Sequence, residues 1–150
     1  MDRSLRTKIA DAFIRRDGKI YNSLYFYGEH QHTKAMVDYI IGSYRPRHPE
    51  ANISRLDAED FRAETLRKVM AGEHYIIPAY DLFVLENIDG VAGLEANEQR
   101  LYGILDWLLE NNRQIVITGT APTASMENLA PRIKAQIDGG IAYAITERDD

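Results

Sequence analysis

The sequence predicts an α/β domain with a parallel, five-stranded sheet covered by helices on both faces. Three observations predict it. Five short apolar runs read as strands, and the strongest are apolar throughout, as strands buried on both faces are. Stretches with apolar residues at helical spacing alternate with those runs. The links between them are short, so successive strands are joined through helices and lie parallel. The chain has 150 residues, which suits one domain over residues 1–150.

The elements follow in order. Residues 4–16 place Leu5, Ile9, Ala12, Phe13 and Ile14 on one side of a helix that Asp17-Gly18 stops. Ser23–Tyr27 is an apolar, aromatic run ending at Gly28, a buried strand whose Tyr25, Phe26 and Tyr27 belong to the core. A helix is expected from Thr33 to Tyr44, carrying Met36, Val37, Ile40 and Ile41. Arg45-Pro-Arg-His-Pro49 then breaks it as a loop. Ile53–Leu56 reads as a brief strand. Asp57, with Asp60 three residues on, caps a helix with Phe61, Leu66, Val69 and Met70 inward, which Gly72 ends. Asp81–Glu86 is a second buried strand. Leu101, Ile104, Leu105, Leu108 and Leu109 form the stripe of a helix ending at Asn111-Asn112, with Trp107 partly in the core. Gln114–Thr118 is a third strong strand, residues 129–137 a helix with Pro131 early in it, and Ile141–Ile145 the last strand.

Composition narrows function. Hydrophobic residues at 45% and charged residues at 27% exclude a disordered chain. The absence of cysteine excludes disulfides, thiolate metal sites and cysteine catalysis. A net charge of −5 argues against nucleic-acid binding by bulk charge. Arg3, Arg6, Lys8, Arg15, Arg16 and Lys19 form a basic cluster, and Arg45 with Arg47 a second; the reading favoured is a solvated surface, so DNA binding is weak or absent. The N-terminus lacks the apolar segment of a signal peptide, and no apolar run approaches the roughly 20 residues of a membrane span. The expectation is a cytoplasmic protein without membrane attachment.

In such a sheet, ligands sit at the carboxyl ends of the strands. There the first strong strand runs into Gly28-Glu-His-Gln-His-Thr-Lys34-Ala35, which has the spacing of the phosphate-binding loop G-x-x-x-x-G-K-[ST]. Gly28 and Lys34 stand where that pattern requires glycine and lysine. Thr33 replaces the second glycine and Ala35 the hydroxyl residue. Glu29, His30 and His32 crowd the same stretch, but alternating residues lack the i, i+4 pairing of helical zinc motifs, and no metal site is expected.

Further segments carry a resemblance. Tyr21-Asn-Ser-Leu-Tyr-Phe-Tyr-Gly28 resembles the YNPLFIYG stretch that leads into the P-loop of the bacterial initiator DnaA. Asp81-Leu-Phe-Val-Leu-Glu-Asn-Ile-Asp-Gly-Val-Ala-Gly93 is similar to that family's DVLLIDDIQFLAG, the Walker B strand and its continuation. Gln114-Ile-Val-Ile-Thr-Gly-Thr-Ala-Pro122 is similar to QIVITSDRP, the sensor 1 strand. Leu129–Gly140 resembles LEDRLRSRFEWG, the arginine-finger segment. On these motifs the chain is identified as a member of the DnaA-like AAA+ superfamily, which includes Hda-type regulators and DnaC-type helicase loaders.

The resemblance implies a P-loop NTPase (AAA+) core with no helical lid, since the family's lid and DNA-binding segments would lie beyond Asp150. It also implies a nucleotide site at Gly28, Thr33, Lys34, Ala35, Glu86, Asn87 and Thr120. At the matched positions Ala35 has no oxygen for Mg²⁺, and β-branched Thr33 resists the positive φ that glycine tolerates. Glu86 stands for the Walker B aspartate, and Asn87, where the family has the acid that orients water, cannot act as a base. Glu86 is read as capping its strand or pairing with Lys34. Thr120 takes the sensor 1 position and Gln136 that of the arginine finger, a group worth about 10³–10⁵ in rate. Arg132 and Lys134 match basic positions of the finger segment and line either a subunit interface or a solvated helix face. No residue is assigned a catalytic role and no cofactor is expected, with weak ATP or ADP binding as the alternative. The reading is a degenerate AAA+ core that docks on another AAA+ replication protein, a DnaA-like initiator or a helicase loader. Its rivals are a nucleotide switch without turnover and a module contacting a helicase or single-stranded DNA.

Overall fold

The computed structural model describes residues 11–12, 22–73 and 77–146, and from residue 24 onward five strands alternate with four helices among the described residues. They are β1 (Leu24–Gly28), α1 (His30–Arg47), β2 (Ile53–Asp57), α2 (Ala58–Met70), β3 (Leu82–Glu86), α3 (Glu95–Glu110), β4 (Gln114–Gly119), α4 (Pro131–Asp138) and β5 (Ile141–Ile145). The helix expected over residues 4–16 lies outside the described residues except for Asp11 and Ala12, which are helical. The sheet order is β2-β3-β4-β1-β5, and every pairing is parallel. This is the α/β architecture the sequence predicts.

Alternation along the strands divides the core. Tyr25 points to one face, where Phe83, Leu85, Ile115 and Ile117 meet Phe61 of α2, Leu101 and Leu105 of α3 and Ile133 of α4. Leu24 and Phe26 point to the other, where Leu82, Val84 and Val116 meet Met36, Val37 and Ile40 of α1. Of the helices α1 to α4, one thus covers one face and three cover the other. β3 and β4 are buried along their whole length, which explains their unbroken apolar runs.

Two helices depart from expectation. α1 starts at His30 rather than Thr33 and runs to Arg47 rather than Tyr44, so Arg45–Arg47 is not a loop. Pro46 falls in the last turn, where a missing N–H costs one bond and no following turn. The His48 N–H closes that end on Tyr44 O (3.0 Å) and Arg45 O (3.2 Å), and its ring stacks on buried Tyr44 at 4.3 Å.

α2 is capped as predicted, with Asp57 Oδ1 accepting from the Asp60 N–H at 2.8 Å. Of its four expected core residues, however, only Phe61 is buried. Leu66, Val69 and Met70 are 60%, 51% and 79% exposed. Arg100 of α3 sets the rotation of α2. Its guanidinium, 5% exposed, donates to Phe61 O (3.2 Å), Thr65 Oγ1 (3.0 Å) and Glu64 Oε1 (2.6 Å), and lies 4.3 Å from the Phe61 ring. The side of α2 bearing Phe61 and Thr65 must therefore face α3, and the remaining apolar residues turn to solvent.

Candidate functional site

A chain of ion pairs running from α1 through β2 to β3 links the P-loop lysine position to the Walker B position. Gly28 ends β1 with φ +146°, a conformation that favours glycine. A Cβ there would collide with the carbonyl oxygen of Ile145, its partner on β5. The glycine is thus explained by strand packing.

The residues after it do not form a loop. Glu29 is the N-cap of α1, and its carbonyl accepts from the N–H groups of His32 (3.0 Å) and Thr33 (3.1 Å). Thr33 is 1% exposed and its hydroxyl donates to His30 O at 3.1 Å. A phosphate cradle needs free backbone N–H groups curling round the anion. Here residues 30–33 form the first turn of a helix, and two of those amides already have acceptors. Ala35 follows on the same helix, with no hydroxyl to offer.

Lys34 lies in the second turn of α1, six residues after Gly28. Its Nζ lies 3.2 Å from Asp38 Oδ2, one helical turn on, and both side chains are about half exposed. The other Asp38 oxygen, Oδ1, lies 2.8 Å from Nη1 of Arg55 on β2. Arg55 also holds Glu86 with two donors, Nε to Oε1 at 2.7 Å and Nη2 to Oε2 at 3.3 Å. Glu86 is therefore paired with Arg55, not with Lys34 as one sequence reading has it. β2 and β3 run in parallel register with Asp57 opposite Glu86, which places Arg55 beside the carboxyl end of β3.

The electrostatics follow from this chain of charges. Partial burial works against the Asp38 carboxylate, but hydrogen bonds from Arg55 and Lys34 outweigh it and hold the group below its ordinary value of 3.8. The hydrogen bond to Glu86, ahead of the opposing effect of burial, keeps Arg55 more firmly protonated than usual. Glu86 is 6% exposed, and Arg55 is the cation that meets it there.

The remaining site positions are engaged elsewhere. Asn87 adopts a left-handed conformation (φ 63°) and its N–H donates to Thr118 Oγ1 at 3.0 Å. Thr120 donates to Asp89 twice, from its N–H (3.0 Å to Oδ1) and its hydroxyl (2.5 Å to Oδ2). On α4, Gln136 Nε2 donates to Tyr102 O at 3.1 Å and the exposed Arg132 lies over the Tyr102 ring at 4.4 Å; Lys134 is half-buried. Arg132 and Gln136 of the finger segment thus both meet Tyr102 of α3. Arg45 and Arg47 are exposed at the end of α1, while the basic cluster at residues 3–19 lies outside the described residues.

Sequence reasoning missed Asp38, Arg55 and Asp89. Lys34 and Asp38 stand i, i+4 on a predicted helix, a signal for their pairing. Arg55, a charge in the middle of a five-residue strand, was the other signal. Nothing local pointed to Asp89.

These residues do not fit a magnesium-bound triphosphate. The loop is helical, the metal-ligand hydroxyl is missing, and the acid at the end of β3 already holds a guanidinium. Among the described residues, no group of histidine, aspartate and glutamate side chains is arranged to hold a metal ion. None of the described helices is long and apolar enough to cross a membrane.

Comparison with known proteins agrees with the sequence resemblance. Residues 3–144 match the family described as the bacterial DnaA ATPase domain. The chromosomal replication initiator protein DnaA of Deinococcus deserti is 24% identical over 135 residues, which is 87% of this chain and 30% of that protein. The structure of AMPPCP-bound DnaA from Aquifex aeolicus has a TM-score of 0.84 at 18% identity, covering 95% of this chain and 46% of that one. The DnaC helicase loader has a TM-score of 0.75 at 12% identity, covering 97% of this chain and 92% of that one. The chain spans about 30% of the length of the curated relatives it matches.

Proposed function

Since this chain belongs to the bacterial DnaA ATPase domain family, we propose that it is a non-catalytic AAA+ module of replication initiation. It acts as an adaptor or regulator by docking on another AAA+ protein, a DnaA-like initiator or a helicase loader. The observation that carries the reading is the first turn of α1. Where the family pattern has a phosphate-binding loop, His30–Thr33 are helical and the amides of His32 and Thr33 bond to Glu29.

Phosphoryl transfer is catalysed by positioning and charge neutralisation. Each position that would supply them is diverted here. Lys34 pairs with Asp38, Glu86 with Arg55, and Gln136 brings no charge. AAA+ subunits associate by setting the pocket face of one against the finger face of the next. On this reading Lys34 marks the pocket face of the chain, and Arg132, Lys134 and Gln136 mark its finger face. A subunit of this kind adds to an assembly without hydrolysing nucleotide in it.

Co-purification tests this. The tagged chain, incubated at low salt with the purified initiator or helicase loader of its own host, is expected to retain one of them. Substituting Arg132 and Lys134 with glutamate is expected to weaken the association. Retention of neither protein contradicts the reading.

A further inference from the structure

We propose that Arg55 is the resident cation of the degenerate site: its guanidinium occupies the place of a divalent metal between Asp38 and Glu86 and thereby sets the site against metal-bound nucleotide. The inference rests on the non-catalytic reading above and deepens it, by naming the residue that excludes the metal.

The geometry carries it. Two carboxylates from different elements, α1 and β3, converge on one group from β2. Glu86 accepts from Nε and Nη2, and Asp38 accepts from Nη1, at 2.7, 3.3 and 2.8 Å. A planar guanidinium with donors fixed in a fork suits such bridging better than an ammonium does. Glu86 is 6% exposed, and a buried carboxylate requires a counter-charge. In a nucleotide-binding relative's chemistry that charge comes with the ligand. Here the chain supplies it.

The second consequence concerns Lys34. Asp38 gives one oxygen to Arg55 and the other to Lys34, 3.2 Å away. The two cations and two carboxylates balance. A triphosphate arriving at Lys34 would have to displace Asp38 and place negative charge beside two carboxylates. Removing Arg55 unbalances the set, leaving the carboxylates of Asp38 and Glu86 facing one vacated position. Arg55 is 32% exposed, so that position is open to solvent ions.

The experiment uses Mn²⁺ as probe, titrated into the full chain and followed by calorimetry and by paramagnetic broadening. The variants are Arg55→Ala, Arg55→Lys and Arg55→Ala combined with Glu86→Gln, each checked for fold by circular dichroism. Arg55→Ala is expected to bind Mn²⁺ at least about tenfold more tightly than the native chain. Arg55→Lys, which keeps the charge, is expected to behave as the native chain does, and the added Glu86→Gln change to cancel the gain. Where Arg55→Ala fails to fold, Arg55→Met preserves the side-chain length and carries the same expectation. An unchanged Mn²⁺ affinity on loss of Arg55, or a gain that survives Glu86→Gln, overturns the assignment. Binding of Mg-ATP by the native chain is the separate result that defeats the non-catalytic reading itself.

Discussion

Gly28 and Asp38 show how much of the site's chemistry is decided one residue at a time. Gly28 occupies the first position of a phosphate-loop pattern, yet what demands glycine is the pairing of β1 with β5. Its φ of +146° and the Ile145 carbonyl both forbid a side chain. Gly28→Ala is therefore expected to lower stability by about 2–4 kcal/mol, read from urea unfolding midpoints. Little change would return the glycine to a ligand-binding role. Asp38 predicts a pH effect. Its folded pKa is depressed below the ordinary 3.8, so its stabilising contribution is fully present above that value. The contribution is lost as pH falls below 3.8 and through the folded pKa. The side chain is half exposed, so solvent screening keeps the effect small. An acid titration of the thermal midpoint is expected to show a shallower fall below pH 4 for Asp38→Asn than for the native chain. Identical slopes would mean that Asp38 does not hold its cations in solution.

At the scale of elements, the sequence was read well where burial alone decides and less well where a specific polar contact decides. The strands fell close to their predicted ranges because β3 and β4 are buried on both faces and their residues say so. Asp57 was legible as a cap because the N-cap bond is local. The start of α1 was misread because Gly-x-x-x-x-Thr-Lys keeps the spacing of a loop, while Glu29 and Thr33 satisfy a helical turn instead. The rotation of α2 was misread because periodicity gives an apolar side without saying which neighbour competes for it. Arg100, buried and bonded to Phe61, Glu64 and Thr65, is that neighbour. The difference is measurable by chemical denaturation. Phe61→Ala is expected to cost about 3–5 kcal/mol, as for a buried aromatic ring. Leu66→Ala and Met70→Ala are expected to stay within about 0.5 kcal/mol of the native chain. Comparable losses at all three positions would mean that the outer side of α2 is covered in solution.

The whole molecule keeps the architecture of its family while its charges close on themselves. The strand order puts β4 between β1 and β3, and it is α1 that joins the two sides, through the ion pair of its Asp38 with Arg55 of β2, which in turn holds Glu86 of β3. The alternation of apolar runs with helical periodicity foretold the architecture, and motif spacing pointed to the candidate site. What neither revealed is the ionic chain from Lys34 through Asp38 and Arg55 to Glu86, because it closes only when three separate elements pack together. Calorimetric titration of the native chain with ATP in magnesium tests the central claim most directly. The account predicts no saturable heat at millimolar nucleotide and no turnover above background. Magnesium-dependent binding that is abolished by Lys34→Ala would contradict it.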